Sequence, residues 1–242
     1  YHEDMSLKEA VLRFLEYCEL DRNLSPRTVR MYGYYLNFFD QWVIKNFEKE
    51  STDITLLVDS HIRQFRLYLS QQYVNPHTGA LKRQSQNYFL IAVRSLLRYL
   101  TRQDIGVMSP EKIDLGKTRD RDIKFLSPTD LDRLFVAVNT KTLQGIRDRT
   151  ILEVLFSTGL RVSELANLNR DQVNTDRGEF GVIGKGGKAR VVFISKHAAK
   201  WLSTYMATRK DQSTAVFIRY KGKTANNPEE LRLTTRQIER LV

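Results

Sequence analysis

The segment Ser157-Thr158-Gly159-Leu160-Arg161-Val162-Ser163-Glu164-Leu165 constrains the fold of this chain more than any other stretch. An apolar helical pattern through Ile146, Ile151, Leu155 and Phe156 runs into Gly159. Glycine just past a helix takes the left-handed conformation that other residues resist, so the helix is expected to end there. A short amphipathic helix is expected to begin near Val162, which leaves Arg161 in the corner between the two. Downstream, Phe180-Gly181-Val182-Ile183 and Val191-Val192-Phe193-Ile194 flank Gly184-Lys185-Gly186-Gly187-Lys188. Two such apolar, β-branched runs around a glycine-rich turn predict a β-hairpin with Lys185 and Lys188 near its tip.

Upstream the periodicity is helical. Leu7, Val11, Phe14, Leu15 and Cys18 repeat at amphipathic spacing over residues 6–20. Ser25 as N-cap and Pro26 at the first helical position open a second helix, with Val29, Tyr32, Leu36, Phe39 and Val43 on one face. A third helix is expected over 59–73, with Ile62, Phe65, Leu69 and Tyr73 inward. After a loop holding Pro76 and Gly79, a fourth is expected over 84–102, with Phe89, Val93, Leu96, Leu97 and Leu100 inward. Four helices on mostly short connections predict a small bundle. From Gln103 to Lys124 the periodicity lapses among Gly106, Pro110, Gly116 and mixed charges, and the stretch reads as a linker.

Ser127-Pro128-Thr129-Asp130 then supplies an N-cap, an N1 proline and an acid at N3, close to a capping box. Leu131, Leu134, Phe135 and Val138 follow on one face. Beyond the hairpin, helical character returns at 196–209. A loop rich in polar and basic residues leads from there to a last helix start at Thr234-Thr235-Arg236-Gln237.

The chain of 242 residues holds 39 Lys and Arg against 28 Asp and Glu, a formal net charge of +11. In a composition otherwise typical of folded proteins, that excess points to an acidic partner, nucleic acid or an anionic membrane surface, with a solvated basic face as the alternative. No apolar run approaches the length of a membrane span and no signal-peptide pattern opens the sequence, so a spanning or secreted protein is not expected and a cytoplasmic one is. Cys18, the lone cysteine, sits on an apolar helix face and excludes an intramolecular disulfide framework and a multi-cysteine zinc site. His61, His77 and His197 show no metal-ligand spacing. Two groups, Arg27, Thr28 and Arg30, and Lys82, Arg83, Gln84 and Ser85, lie at the starts of two expected helices. Such positions suit phosphate binding through backbone amides and nearby cations, against the alternative of a solvated helix end.

Charge develops on the non-bridging oxygens of a phosphodiester under attack, and donors aimed at it are usually the largest catalytic factor. A guanidinium suits that task because its fork donates two hydrogen bonds and keeps its proton; a lysine on a hairpin can protonate a leaving oxygen. Arg161 and Lys185 could serve these ends, but nothing in folding physics alone forces them together. The strings Thr158–Leu165 and Val182–Lys188, with the spacing between arginine and lysine, resemble the first catalytic segment and β-hairpin of tyrosine site-specific recombinases, the phage integrase family, most nearly its Xer-type members. The likeness extends to Asn23-Leu24-Ser25-Pro26-Arg27-Thr28 and to Phe125-Leu126-Ser127-Pro128.

The resemblance implies a mainly α protein. Residues 5–102 would be a four-helix core-binding, SAM-like DNA-binding domain and 103–124 a linker. Residues 125–242 would be a mostly helical catalytic domain with a small β-hairpin, incomplete at its C-terminus. It implies cleavage and rejoining of a double-stranded recombination site through a 3′-phosphotyrosyl link, without metal, ATP or other cofactor, by a homo-tetramer in the synaptic complex. Arg161 would clamp the scissile phosphate, Lys185 would be the general acid with Lys188 its rival, and Glu164 would position the arginine. The family also carries a His-x-x-Arg segment and a nucleophilic tyrosine downstream of the hairpin. Here the residues three after each histidine are Met5, Gln64, Ala80 and Lys200, and Tyr205 and Tyr220 precede where that segment would fall. The expectation is therefore a truncated recombinase that binds DNA without cleaving it. Its rivals are a non-catalytic DNA-binding regulator or architectural protein of the same fold, and an enzyme like the type IB topoisomerases.

Overall fold

The computed structural model describes residues 5–47, 53–118 and 124–242, apart from the side chain of Lys185. The chain divides into two compact units, residues 1–122 and 123–242. Both are mostly helical, and each holds one small two-stranded antiparallel sheet.

The first unit is built from α1 (Leu7–Leu20), α2 (Pro26–Asn46), α3 (Asp59–Leu67) and α4 (Arg83–Arg102). Ser6 and Ser25 cap the first two, accepting from the amides of Glu9 and Thr28. These hydroxyls satisfy donors that a helix start leaves without an intrahelical partner. The core is largely aromatic: Phe65 packs on Phe39 at 4.8 Å and on Trp42 at 5.0 Å, and Phe89 meets Tyr35 at 4.7 Å and Phe38 at 5.0 Å. Cys18 is buried among these helices, where desolvation raises its thiol pKa.

The helix expected over 59–73 changes pitch: after Leu67 it widens to a π-turn, Tyr68–Gln72, closed by the Tyr73 amide on the Tyr68 carbonyl at 2.9 Å. The widening keeps Leu69 in the core and lays Tyr73 against Phe38 at 4.8 Å. The loop around Pro76 and Gly79 closes as a minimal hairpin, β1 (Val74–Asn75) with β2 (Gly79–Ala80). The Asn75 side chain accepts from the amides of His77 and Thr78, which tightens its turn.

Within the stretch read as a linker, Pro110–Gly116 is docked on α4. Ile113 is buried, Glu111 pairs with Arg94 and Arg98, and Asn87 bonds Gly116 twice. The Asn87 amide donates to the Gly116 carbonyl at 2.7 Å and its oxygen accepts from the Gly116 amide at 3.0 Å. The charge cluster at its far end lies partly outside the described residues.

The second unit runs α5 (Pro128–Val136), α6 (Leu143–Thr158), α7 (Val162–Ala166), the hairpin β3 (Glu179–Ile183) and β4 (Ala189–Phe193), α8 (Lys196–Ala207) and α9 (Thr235–Glu239). The capping box at Ser127 and Asp130 forms in both directions. Helix α6 ends at Gly159, whose φ of 62° is left-handed and whose amide reaches the Leu155 carbonyl at 3.0 Å. One core unites Ile151 and Val154 of α6, Ala198, Leu202 and Tyr205 of α8, and the inner hairpin face Phe180, Val182 and Val192.

The segment read as a polar loop after α8 carries a buried run, Ala215–Ile218. Its backbone bonds Leu168 on one side and Leu233 on the other, so an apolar tetrapeptide becomes an internal rib. Tyr205 is fully buried, stacks on Phe217 at 5.5 Å and accepts from the Ile218 amide; burial pushes its phenol far above the usual range. Tyr205 is thus a packing residue.

The two bonds between Asn87 and Gly116 make a specific prediction. Asn87→Ala leaves both Gly116 backbone groups without that partner and should lower unfolding stability by about 1–3 kcal/mol. Urea denaturation measures the loss, and hydrogen exchange should speed up at Ile113–Gly116 ahead of the α4 core.

Candidate phosphate-contact site

Arg161 occupies the N-cap position of α7, set there by the stop at Gly159 and by an extended φ,ψ of −69°, 149°. Glu164 lies one turn on, where its carboxylate folds back: the Arg161 amide donates to Oε2 at 2.8 Å and Arg161 Nη1 to Oε1 at 2.9 Å. A third group arrives from β4. Arg190 donates Nη1 to Oε1 and Nη2 to Oε2 of the same carboxylate, each at 2.7 Å. An ion pair between residues 26 positions apart therefore joins the α6–α7 corner to the hairpin.

The three groups differ sharply in exposure. The Glu164 side chain is 6% exposed, that of Arg190 37% and that of Arg161 62%. Bonds from Arg190, reinforced by the amide and side chain of Arg161, overcome burial and hold the Glu164 carboxyl at a pKa of about 2. Arg161 keeps most of its guanidinium outward, on a cleft of ≈ 540 Å³ that it lines with Ser163, Asn167, Gln172, Ile183 and Gly184. Leu168 and Val182 also line this cleft, and an outward guanidinium at its edge can donate to two oxygens of a phosphate. Among the described residues no three His, Cys, Asp or Glu side chains converge as a metal site, and no helix is long and apolar enough to cross a membrane.

Lys185 begins the turn of the hairpin, in the short 3₁₀ segment Lys185–Gly187, and its side chain lies outside what the structure describes. Lys188 is exposed at the start of the return strand. Arg190 is absent from the sequence-based set, although a signal existed: it shares the inner hairpin face with Val192 and pairs across the sheet with Val182. A cation on a strand's inner face needs a buried carboxylate to meet it.

In the first unit, Arg27 and Arg30 are exposed at the start of α2, and Thr28 spends its hydroxyl on Ser25 at 2.9 Å. Lys82 to Ser85 open α4, with Gln84 donating to the Tyr88 hydroxyl at 3.1 Å. These two groups are not brought together. Tyr35 and Phe38 of α2 meet Tyr88 and Phe89, whereas Phe14 touches both Tyr32 and Tyr99, so α2 and α4 run antiparallel. Their starts therefore point to opposite ends of the α2–α4 pair.

The depressed pKa of Glu164 fixes the sign of a pH effect. Stabilisation by its ion pairs is complete above the ordinary carboxylate range and is lost as pH falls toward about 2. Urea unfolding at pH 7 and at pH 3 should show a smaller acid-induced loss for Glu164→Gln than for the parent chain.

The pattern of the phage integrase family matches residues 124–241, and that of the phage integrase N-terminal SAM-like domain matches residues 11–104. A tyrosine recombinase XerC of Leptospira interrogans serovar copenhageni is 29% identical over 239 residues, 96% of this chain and 71% of the relative. The tyrosine recombinase XerC of Pelobacter propionicus is 30% identical over 240 residues, 97% of this chain and 76% of the relative. Among solved structures, the Tn1549 transposon integrase in complex with circular intermediate DNA has a TM-score of 0.70 at 14% identity, covering 98% of this chain and 78% of that one. A lambda integrase tetramer bound to a Holliday junction gives 0.68 at 12% identity, over 98% of this chain and 64% of that one. These two likenesses are of fold alone. The family patterns along both units, with 30% identity over nearly the whole chain, show that it belongs to the phage integrase family of tyrosine recombinases.

Proposed function

We propose that this chain binds duplex DNA at a recombination site in the cytoplasm and supplies the phosphate-gripping half of a strand-cleaving centre. The observation that carries the reading is Arg161: anchored inward through one side-chain bond to Glu164, 62% exposed and facing a cleft at the hairpin base. In this reading Arg161 clamps the scissile phosphate, Lys185 protonates the leaving 5′-oxygen with Lys188 as its alternative, and Glu164 positions the arginine. Arg27, Thr28 and Arg30 at one end of the first unit, and Lys82, Arg83, Gln84 and Ser85 at the other, contact the DNA backbone. In this reading one duplex lying along α2 and α4 reaches both groups.

The net charge of +11 supports an anionic partner, and the two integrases of similar fold were solved with DNA, one of them as a tetramer on a junction. The same assembly is proposed for this protein in a complete synaptic complex. No histidine in the 242 residues is followed three positions later by arginine, so these residues are read as binding DNA without cutting it. That same feature favours a second reading, a DNA-binding regulator of the recombinase fold.

Fluorescence anisotropy with a duplex of about 30 base pairs tests the first claim: affinity should fall steeply with salt, and Arg161→Ala should weaken it about tenfold. Binding that is absent, or indifferent to salt, overturns it. On a nicked duplex the chain alone should form no covalent adduct. A chimera carrying the downstream segment of the Pelobacter relative should form one that Arg161→Ala and Lys185→Ala suppress. A chimera that binds and forms no adduct makes the regulator the better account.

A further inference from the structure

We infer that Arg190 is a positioning residue whose work is to occupy Glu164 and so keep Arg161 open to phosphate. The inference rests on the reading of Arg161 as a phosphate contact. It begins from how the carboxylate is shared. Arg190 takes both oxygens in a two-bond fork at 2.7 Å each, while the Arg161 side chain takes only one, at 2.9 Å. Arg161 therefore presents the remaining face of its guanidinium outward.

Two consequences follow from removing Arg190. The first concerns geometry. A carboxylate three residues along a helix from an arginine can close its own fork on that arginine, and among the described residues only Arg190 competes for it with a second guanidinium. The second concerns charge. Two guanidinium groups against one carboxylate leave a formal excess of one positive charge at the cleft. Without Arg190 the remaining pair is neutral, and a phosphate gains little by approaching a guanidinium already matched by an anion.

A separate observation ties the same pair to the hairpin. A Cβ on Gly184 would stand 2.9 Å from Arg190 Nη1 and 3.4 Å from Glu164 Oε1, so the strand enters its turn in direct contact with the bridge. Gly184 also closes the turn, donating its amide to the Lys188 carbonyl at 2.8 Å. Arg190 thus sets the hairpin base and frees Arg161 in one arrangement.

The test is a cycle in the 242-residue chain, read as affinity and salt slope for a duplex of about 30 base pairs. Arg190→Gln should weaken binding by about as much as Arg161→Ala does and lower the salt slope by about one. Adding Glu164→Gln to Arg190→Gln should restore both, because it releases Arg161 from its anion. Arg190→Lys, which keeps the charge and loses the fork, should fall between the parent and Arg190→Gln. In an Arg161→Ala background, Arg190→Gln should have no further effect. A purely structural bridge predicts the reverse: no rescue by Glu164→Gln and an undiminished effect without Arg161, and either result overturns the inference. If Arg161→Ala itself changes neither affinity nor slope, the phosphate reading of Arg161 fails and this inference with it. If Arg161→Ala weakens binding and Arg190→Gln does not, only the role of Arg190 falls.

Discussion

A carboxylate as buried as that of Glu164 stays ionised only when charged donors meet its oxygens, and two guanidinium groups from different parts of the chain do so. The corner at Gly159, the short helix α7 and the strand β4 have separate local causes: a left-handed stop, an N-cap with a returning side chain, and a β-branched run. None of these causes dictates where the hairpin lies relative to the corner. The bridge does so together with the apolar core that joins Phe180, Val182 and Val192 to α6, and the planar fork of Arg190 fits one orientation of the carboxylate. The cleft in front of Arg161 is lined from both sides of that junction, by Ser163 and Asn167 on one and Ile183 and Gly184 on the other.

The two units hold themselves together by different means, which bears on what each can do. In the first, rings interlock around Phe65 and Phe89, and the core tolerates a widened turn at Tyr68–Gln72 without losing Leu69. In the second, arginine–carboxylate links recur, both where apolar burial is thin and against the buried rib. Helix α5 buries no residue, and Arg149 holds it by donating to the Phe135 carbonyl and lying 4.7 Å over its ring, while pairing with Glu153. Arg209, wholly buried, binds Asp211 and carbonyls of the internal rib, and holds the Asp211 carboxyl at a pKa of about 2. Directional bonds fix angles where close packing mainly fixes volume, which suits a unit that must aim side chains at a small target.

Much of this architecture was legible in sequence because its causes are local. Ser25-Pro26, Ser127-Pro128 and Gly159 each carry their own stop or start chemistry, and the helices that follow keep amphipathic spacing. What stayed hidden depends on partners far along the chain. Pro110–Gly116 lacks periodicity, yet Asn87 and Ile113 dock it on α4. Ala215–Ile218 is too short to stand out within a polar stretch, and becomes core because Leu168 and Leu233 flank it. The groups at Arg27 and Lys82 look alike as helix starts, and only the antiparallel pairing of α2 with α4 separates them.

The candidate site shows the same division more sharply. Arg161 was legible because its neighbours fix its own backbone, and Glu164 because it lies one helical turn away. Arg190 was not, since a single arginine in a strand announces nothing until the strand's inner face is known. Yet the charge state of the cleft depends on it: one anion shared between two cations leaves a net positive charge that a closed one-to-one ion pair would not give. A lone, unanchored guanidinium would bind phosphate at a greater cost in side-chain ordering, and a fully paired one would bind it weakly. Sharing Glu164 between Arg190 and Arg161 anchors the outward arginine without cancelling it.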